Sequence, residues 1–264
     1  MKKIFFLINP IKRNWVSILS PILLLFLWEI VSSIGLLRAD YFPPPSSLTS
    51  NFKILIEEGD LAIHIGATLY RLSLSFLLAS IPGIGLGLVM GLSITTRLAL
   101  EPFVNSLYAI PKIALLPLMM MALGIGERSL IVTAAITAFF QITITTMAGV
   151  MSIEKVLLEA AKNYGATGWR LFLKVILPGT LPFIFTGLRL GLGLSLILVI
   201  AVELAAAKTG LGALIWISWQ VLRIKHMYCT LIVIGSIGLL VTHGLEKLGG
   251  TLMPWREEVV RRWA

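Results

Sequence analysis

The sequence predicts an all-α membrane protein with about six transmembrane helices. Of its 264 residues, 57% are hydrophobic and only 13% are charged, and the mean hydropathy is +0.93. A soluble domain usually carries about 25% charged residues and could not bury this much apolar surface. One bilayer crossing needs roughly 20 apolar residues, so the length suits about six crossings better than one or two soluble domains.

Six long apolar runs are the candidate crossings. They are residues 17–37, 72–96, 102–125, 129–153, 181–207 and 227–245. Charged residues interrupt the first, third and fifth runs. These residues are Glu29, Lys112, Arg189 and Glu203. Because a charged side chain in lipid is costly, we expect all four to face protein or water.

The distribution of basic residues predicts the orientation. One set of alternate connections contains most of them: Lys2, Lys3, Lys12, Arg13, Arg97, Lys155, Lys162, Arg170, Lys174, Arg256, Arg261 and Arg262. The connections on the opposite side contain fewer. Cytoplasmic loops carry the excess of Lys and Arg, so both termini are predicted in the cytoplasm of a multi-pass inner (plasma) membrane protein. Arg71 lies too near the predicted start of a crossing to count for either side.

The connections divide the chain into three parts. Residues 1–61 comprise a cytoplasmic N-terminus, the first crossing and an external segment. That segment opens with three prolines and continues with apolar residues at helical spacing, which predicts an amphipathic helix on the outer surface. These residues are Leu48, Phe52, Leu55 and Ile56. Residues 62–253 form a five-helix core with a cytoplasmic loop at 154–179, and residues 254–264 form a cytoplasmic tail.

Glycines inside the apolar runs predict close helix packing. Gly83 and Gly87 are four residues apart, as are Gly187 and Gly191. Small residues at this spacing let membrane helices approach closely. The pattern indicates packing and points to no particular function.

The cytoplasmic loop at 154–179 carries the most specific pattern. It reads Glu159-Ala160-Ala161, three residues, Gly165, nine residues, then Val175, Ile176, Leu177 and Pro178. Residues 154–164 are predicted to form a short helix whose alanines leave a low surface for another protein. Gly165 is expected to supply the left-handed turn that ends this helix. The next segment should return to the membrane as an amphipathic helix that Pro178 stops.

The spacing in this loop resembles the EAA loop of ABC importer permeases, with Val175 in place of isoleucine as the single departure. The resemblance covers residues 28–256. Ile110-Pro111-Lys112 and the following residues to Glu127 are similar to permeases of the sulfonate, taurine and nitrate importer family. It implies a type I importer permease fold with an additional N-terminal helix.

The same resemblance implies the partners. Two permease subunits, here most economically a homodimer, would join two cytoplasmic ATPases and an external substrate-binding protein. The coupling loop would comprise Glu159, Ala160, Ala161, Gly165, Val175, Leu177 and Pro178. The chain has no phosphate-binding Gly-x-x-x-x-Gly-Lys-Ser/Thr run, so ATP and Mg²⁺ are expected in the partner ATPase and no cofactor in this chain.

Two other functions compete with this interpretation. An ion-gradient-driven secondary transporter would use the intramembrane charges as a relay, and it would need no loop for an ATPase. An intramembrane enzyme would use His64 or His243, but the sequence offers no nucleophile or acid/base grouping around either. Neither the histidines nor the single cysteine, Cys229, has metal-ligand spacing.

The substrate is left open between small oxyanions (sulfonate, taurine, nitrate or bicarbonate) and a heterocyclic vitamin precursor. Lys112, Arg189 and Glu203 are the candidate residues of the translocation pathway. Lys112 would either attract an anion or pair with a carboxylate such as Glu203, and the sequence does not separate these two roles. The first crossing is expected to be peripheral, with crossings two to five around a two-fold axis.

Overall fold

The structure, a computed structural model, describes residues 10–255, with the backbone alone for residues 10–18. Every regular element in this range is a helix. Residues 1–9 and 256–264 lie outside the described residues. They include the basic residues predicted there and most of the predicted tail.

Helices α1 (Pro10–Ser33) and α2 (Pro45–Glu57) precede the core. Glu29 accepts hydrogen bonds from the backbone N–H of Ser46 (2.9 Å) and from its hydroxyl (2.7 Å), both in the first turn of α2. A carboxylate is favourable there because the N-terminal N–H groups of a helix lack intrahelical partners. Glu29 therefore faces protein, as predicted.

The amphipathic α2 is confirmed as a helix, but part of its predicted apolar face is wrong. Leu48 and Leu55 are buried together with Leu211 and Cys229, whereas Ile56 is 63% exposed. The buried polar residue on this face is Asn51, whose amide lies 3.5 Å from the Cys229 Sγ. Helix α2 thus packs into the bundle between later helices.

Helices α3 (Asp60–Leu92), α6 (Glu127–Met151) and α9 (Leu177–Ala206) form the core. Helix α6 lies between the other two. The predicted glycine packing is confirmed on both sides of it. A Cβ at Gly87 would meet the Thr143 carbonyl oxygen at 2.6 Å, and a Cβ at Gly191 would meet the Ile142 side chain at 2.9 Å.

The third predicted crossing is bent. Helix α4 (Ile94–Ala109) ends before Pro111, a short 3-10 helix covers Lys112–Leu115, and α5 (Leu116–Leu123) follows at 94° to α4. Ile110 is extended (φ −68°, ψ 132°). Proline disfavours the α conformation at the preceding residue and removes a backbone donor, which accounts for the break.

The remaining helices lie between α6 and α9 and after α9 in the chain. Helix α7 (Lys155–Asn163) lies in the loop that is predicted to be cytoplasmic, and α8 (Gly168–Leu171) joins α9 through a π turn at Phe172–Ile176. Helices α10 (Leu211–Gln220) and α11 (Ile224–Leu252) close the described chain.

Fewer helices qualify as spans than the six predicted. Within residues 10–255, four are long and apolar enough: α3, α6, the continuous α8–α9 helix and α11. The bent α4–α5 pair would make a fifth. Side chains in α1 are described only from residue 19, and the apolar stretch within that part is Leu19–Ser33.

Candidate functional site

The predicted coupling loop projects from the bundle as a short exposed helix. No residue of α7 is buried. Glu159 is exposed, and Ala160 and Ala161 are half-buried. The predicted helix at 154–164 is confirmed, since Glu154 is the residue before α7 and Tyr164 the residue after it.

Gly165 ends α7 in the left-handed conformation, as predicted, with φ at 81°. Its N–H donates to the Lys162 carbonyl (2.9 Å), and the Ala166 N–H donates to the Ala161 carbonyl (2.9 Å). These two bonds form a Schellman motif, which satisfies carbonyls that the end of a helix leaves free. The turn fixes the direction in which the chain leaves α7.

Large apolar side chains are exposed on the surface of this loop. Val156 is 72% exposed, Tyr164 93% and Trp169 69%. The Trp169 ring stacks on Phe172 with 5.1 Å between ring centroids. A soluble surface rarely presents so many large apolar groups together, so these side chains are available to contact another protein or the membrane surface.

Pro178 does not stop the following helix, and that prediction is wrong. The helix continues from Gly168 to Ala206. The Leu177 N–H donates to the Phe172 carbonyl, five residues earlier, through the π turn. Proline clashes with the carbonyl four residues before it in a regular α-helix, and the wider π turn ends directly before Pro178. Val175, Leu177 and Pro178 are half-buried there.

At the opposite end of the core, three charged side chains meet. Arg71 of α3 donates from Nε to Glu127 Oε2 (2.7 Å) and from Nη2 to Glu127 Oε1 (2.6 Å). Its Nη1 donates to Glu203 Oε1 (2.7 Å). Arg71 is 2% exposed, Glu203 is 0% exposed and Glu127 is half-exposed. We call Arg71, Glu127 and Glu203 the outer charge cluster.

Neutral groups complete the hydrogen bonds of the outer charge cluster. Thr68 donates to Glu203 (2.9 Å) and accepts from the Leu211 N–H (2.8 Å). The Gly212 N–H also donates to Glu203 (2.9 Å). Burial of a carboxylate is tolerated only when its lone pairs are satisfied in this way. The outer charge cluster therefore joins α3, α6, α9 and the start of α10.

The predicted pathway residue Glu203 is thus paired with Arg71 and not with Lys112. Sequence reasoning missed Arg71 and Glu127. The sequence places Arg71 near the start of a crossing, whereas in the structure it is the twelfth residue of α3. A cation within the apolar α3 was the available signal, since an intramembrane charge requires a partner.

Lys112 lies at the bend between α4 and α5. Its Nζ donates to the carbonyl oxygens of Tyr108 (2.8 Å) and Ile110 (2.6 Å). It also lies 5.5 Å from the ring centroids of Tyr108 and Phe140. The ammonium therefore satisfies the carbonyls that the end of α4 leaves free.

Arg189 has a third, separate environment. Its guanidinium lies 2.6 Å from the Glu246 carboxylate of α11, and both side chains are about half-exposed. The structure therefore does not bring Lys112, Arg189 and Glu203 into one site. Among residues 10–255, no group of three or more His, Cys, Asp or Glu side chains is arranged to hold a metal ion.

Comparison with known proteins decides the family. Residues 83–246 match the family model "Binding-protein-dependent transport system inner membrane component". The chain belongs to this family. It is therefore an inner membrane permease subunit of an ABC importer, and the resemblance noted in the sequence is confirmed.

Curated relatives agree with this assignment. The chain is 34% identical to the taurine transport system permease protein TauC of Escherichia coli (strain K12), covering 95% of this chain and 93% of the relative. It is 30% identical to a putative aliphatic sulfonates transport permease of Bacillus subtilis (strain 168), covering 93% and 89%. It is also 30% identical to the bicarbonate transport system permease protein CmpB of Synechocystis, covering 93% and 94%.

Solved structures confirm the fold. The MetNI methionine ABC transporter in an inward-facing conformation contains a chain that matches with a TM-score of 0.62 and 20% identity. The match covers 74% of this permease and 97% of that chain. An amino acid ABC transporter matches with a TM-score of 0.57 over 77% of this permease. The type I importer permease fold predicted from the sequence is confirmed.

Proposed function

We propose that two copies of this permease form one translocation pathway and bind two cytoplasmic ATPases through residues 154–179. An external substrate-binding protein would deliver the solute from the opposite side. Both termini would then be cytoplasmic, in agreement with the excess of basic residues on that side. A homodimer is the economical assembly because an isologous pair lets one gene supply both halves of a pathway.

The cytoplasmic loop is the observation that carries this proposal. Helix α7 has no buried residue and ends in a Schellman turn at Gly165, and the loop leaves the side chains of Val156, Tyr164 and Trp169 exposed. A short helix with an apolar surface suits insertion into a groove of another protein. Glu159, Ala160 and Ala161 would dock there, while Val175, Leu177 and Pro178 would connect the docked helix to α9.

Energy would come from ATP and Mg²⁺ bound by the partner ATPases. This chain has no phosphate-binding glycine loop. Force would pass from the ATPases through α7 and the π turn into α9, which is a core helix. This chain would hold no cofactor of its own.

The proposed substrate is a small oxyanion such as a sulfonate, taurine, nitrate or bicarbonate. The relatives named for taurine, aliphatic sulfonates and bicarbonate support this class. A heterocyclic vitamin precursor is the second candidate, and the binding protein would choose between them. Lys112 and Arg189 would lie along the pathway. Glu203 would stabilise the helices around the pathway as part of the outer charge cluster.

The first helix would stay at the periphery of the dimer. Its residues Leu19 to Leu27 are exposed, and its described contacts are mainly with α2 and with Tyr228, whose ring centroid lies 5.4 Å from that of Trp28. Helix α6, between α3 and α9, would be closer to the two-fold axis.

Reconstitution in proteoliposomes tests this function. The permease would be combined with the ATPase and binding protein encoded beside it, and uptake of radiolabelled taurine and bicarbonate would be measured. We expect uptake that requires ATP, the ATPase and the binding protein, and that persists when ionophores dissipate ion gradients. Uptake driven by an ion gradient without the ATPase would instead identify a secondary transporter.

A further inference from the structure

Helix α4 carries a polar stripe along one face. Arg97, Glu101, Asn105 and Tyr108 are spaced at i, i+4, i+8 and i+11, which places them on one side of the helix. Asn105 is exposed, Tyr108 is 42% exposed, and the other two are half-buried. The stripe starts at the end of α4 that is predicted to be cytoplasmic and ends at the bend.

The stripe continues onto the core helix α6. The Tyr108 hydroxyl donates to Gln141 Oε1 (2.9 Å), and Gln141 Nε2 donates to the Thr145 hydroxyl (3.2 Å). Gln141 lies near the middle of α6. Both Gln141 and Thr145 are partly exposed, although most of α6 is buried. One amide hydrogen of Gln141 is left for a further acceptor.

The outward faces of other long helices differ from this one. Leu239 and Leu240 of α11 are 75% and 72% exposed, and Ile81 of α3 is 75% exposed. Such side chains are suited to lipid. The partly exposed Gln141 and the exposed Asn105 are not suited to lipid, because lipid offers no hydrogen-bond partner. The polar stripe must therefore face water or another protein surface.

We propose that Asn105, Tyr108, Gln141 and Thr145 line the cytoplasmic half of the translocation pathway and contact the solute through neutral hydrogen-bonding groups. This assignment rests on the proposed transport function and specifies where the solute meets this chain. Neutral donors suit a small solute rich in acceptors, since they bind it without the strong attraction of a free cation. Lys112, held by the carbonyls of Tyr108 and Ile110, fixes the Tyr108 end of the stripe.

Cysteine labelling of the assembled importer tests the proposal without requiring transport. Asn105→Cys, Gln141→Cys and Thr145→Cys would each be made with Cys229→Ser, and also with the native, buried Cys229 retained in case its replacement impairs folding. The probe is the membrane-impermeant reagent (sulfonatoethyl) methanethiosulfonate, applied from the cytoplasmic side. Leu239→Cys is the matched control, since it is exposed on an apolar face.

We expect Gln141→Cys to react about 100-fold faster than Leu239→Cys, because the reactive thiolate forms in water and not in hydrocarbon. Equal, slow reaction of both variants would overturn the proposal. The proposal would also be overturned if Gln141→Cys stayed unlabelled and formed a disulfide with the second copy. The stripe would then be a dry interface between the two subunits. Either failure leaves ATP-driven uptake to be judged separately, because labelling does not depend on it.

Discussion

The outer charge cluster and the loop at 154–179 differ in which side chains they bury. Arg71 and Glu203 are almost fully buried, and each is hydrogen-bonded to protein groups. Helix α7 has no buried residue and leaves large apolar side chains exposed. One region is complete within a single chain, whereas the other is suited to a second protein.

We therefore expect the outer charge cluster to determine the stability of the permease and the loop to determine its coupling to the ATPase. A buried pair whose hydrogen bonds are complete is costly to break, because each remaining charge would stay in a low-dielectric environment. An exposed helix contributes little to the stability of the isolated chain. Changes in the outer charge cluster should therefore destabilise the permease itself, and changes in the loop should affect its response to the ATPase.

The largest effect is expected for Arg71→Met. Removing the guanidinium leaves Glu203 buried without its cation, which should lower the free energy of unfolding by about 3–5 kcal/mol. Thermal unfolding in detergent would measure the loss. Arg223→Met is the matched control, since Arg223 pairs at 3.4 Å with the half-exposed Glu58 and should cost about 1 kcal/mol or less.

A second variant checks the cause of this loss. Combining Arg71→Met with Glu203→Gln removes the stranded charge while keeping a side chain that reaches Thr68 and the Gly212 N–H. Partial recovery of the melting temperature is expected. If Arg71→Met alone unfolds like the wild type, the outer charge cluster does not stabilise the bundle.

Local patterns in the sequence predicted the short helix α7, its turn at Gly165 and the glycine packing correctly. The turn at Gly165 and the contacts of Gly87 and Gly191 depend on residues close in sequence or on a fixed helical spacing. Such features can be read from one segment at a time. The all-helical class also followed from composition alone.

The outer charge cluster could not be read in this way. Arg71 and Glu203 are separated by 132 positions, and their contact depends on how three helices pack. The same limit applies to Lys112, whose predicted alternative partner Glu203 is bonded to Arg71 in the structure. Pro111 weakens the helix locally, but the 94° angle could not be predicted because apolar composition is the same on both sides of it. The π turn before Pro178 could not be predicted because hydropathy carries no information on hydrogen-bond register.

A smaller effect is expected for Lys112→Met. The change leaves the carbonyls of Tyr108 and Ile110 without their charged donor, which should cost about 1.5–3 kcal/mol. We expect an assembled complex with lower uptake, because the bend that positions Tyr108 is loosened. Uptake in proteoliposomes and the melting temperature would be measured together, with Lys247→Met on the exposed side of α11 as the control. Wild-type values for both would remove Lys112 from any role at the bend.

Helix packing in the core offers a comparison of two glycines on one helix. A Cβ at Gly87 would meet the Thr143 carbonyl and the Thr146 side chain, whereas a Cβ at Gly85 would meet nothing within 4 Å. We therefore expect Gly87→Val to cost about 1–3 kcal/mol through overpacking and Gly85→Val to be nearly neutral. Melting temperatures in detergent would show the difference, and equal values would contradict the close approach of α3 and α6.

The smallest effect on stability, and the sharpest on coupling, is expected for Gly165→Val. The residue has φ at 81°, where a β-branched side chain costs roughly 1–2 kcal/mol, so the variant should abandon the turn and redirect the exposed α7. Because α7 contributes no buried residue, insertion and the melting temperature should stay close to those of the wild type. Stimulation of the partner ATPase by substrate-loaded binding protein should fall. Gly165→Asn is the matched control, since asparagine tolerates the left-handed conformation and should retain most of the stimulation. If both variants couple normally, the turn at Gly165 is not needed to dock the ATPase, and the loop at 154–179 does not depend on this turn for coupling.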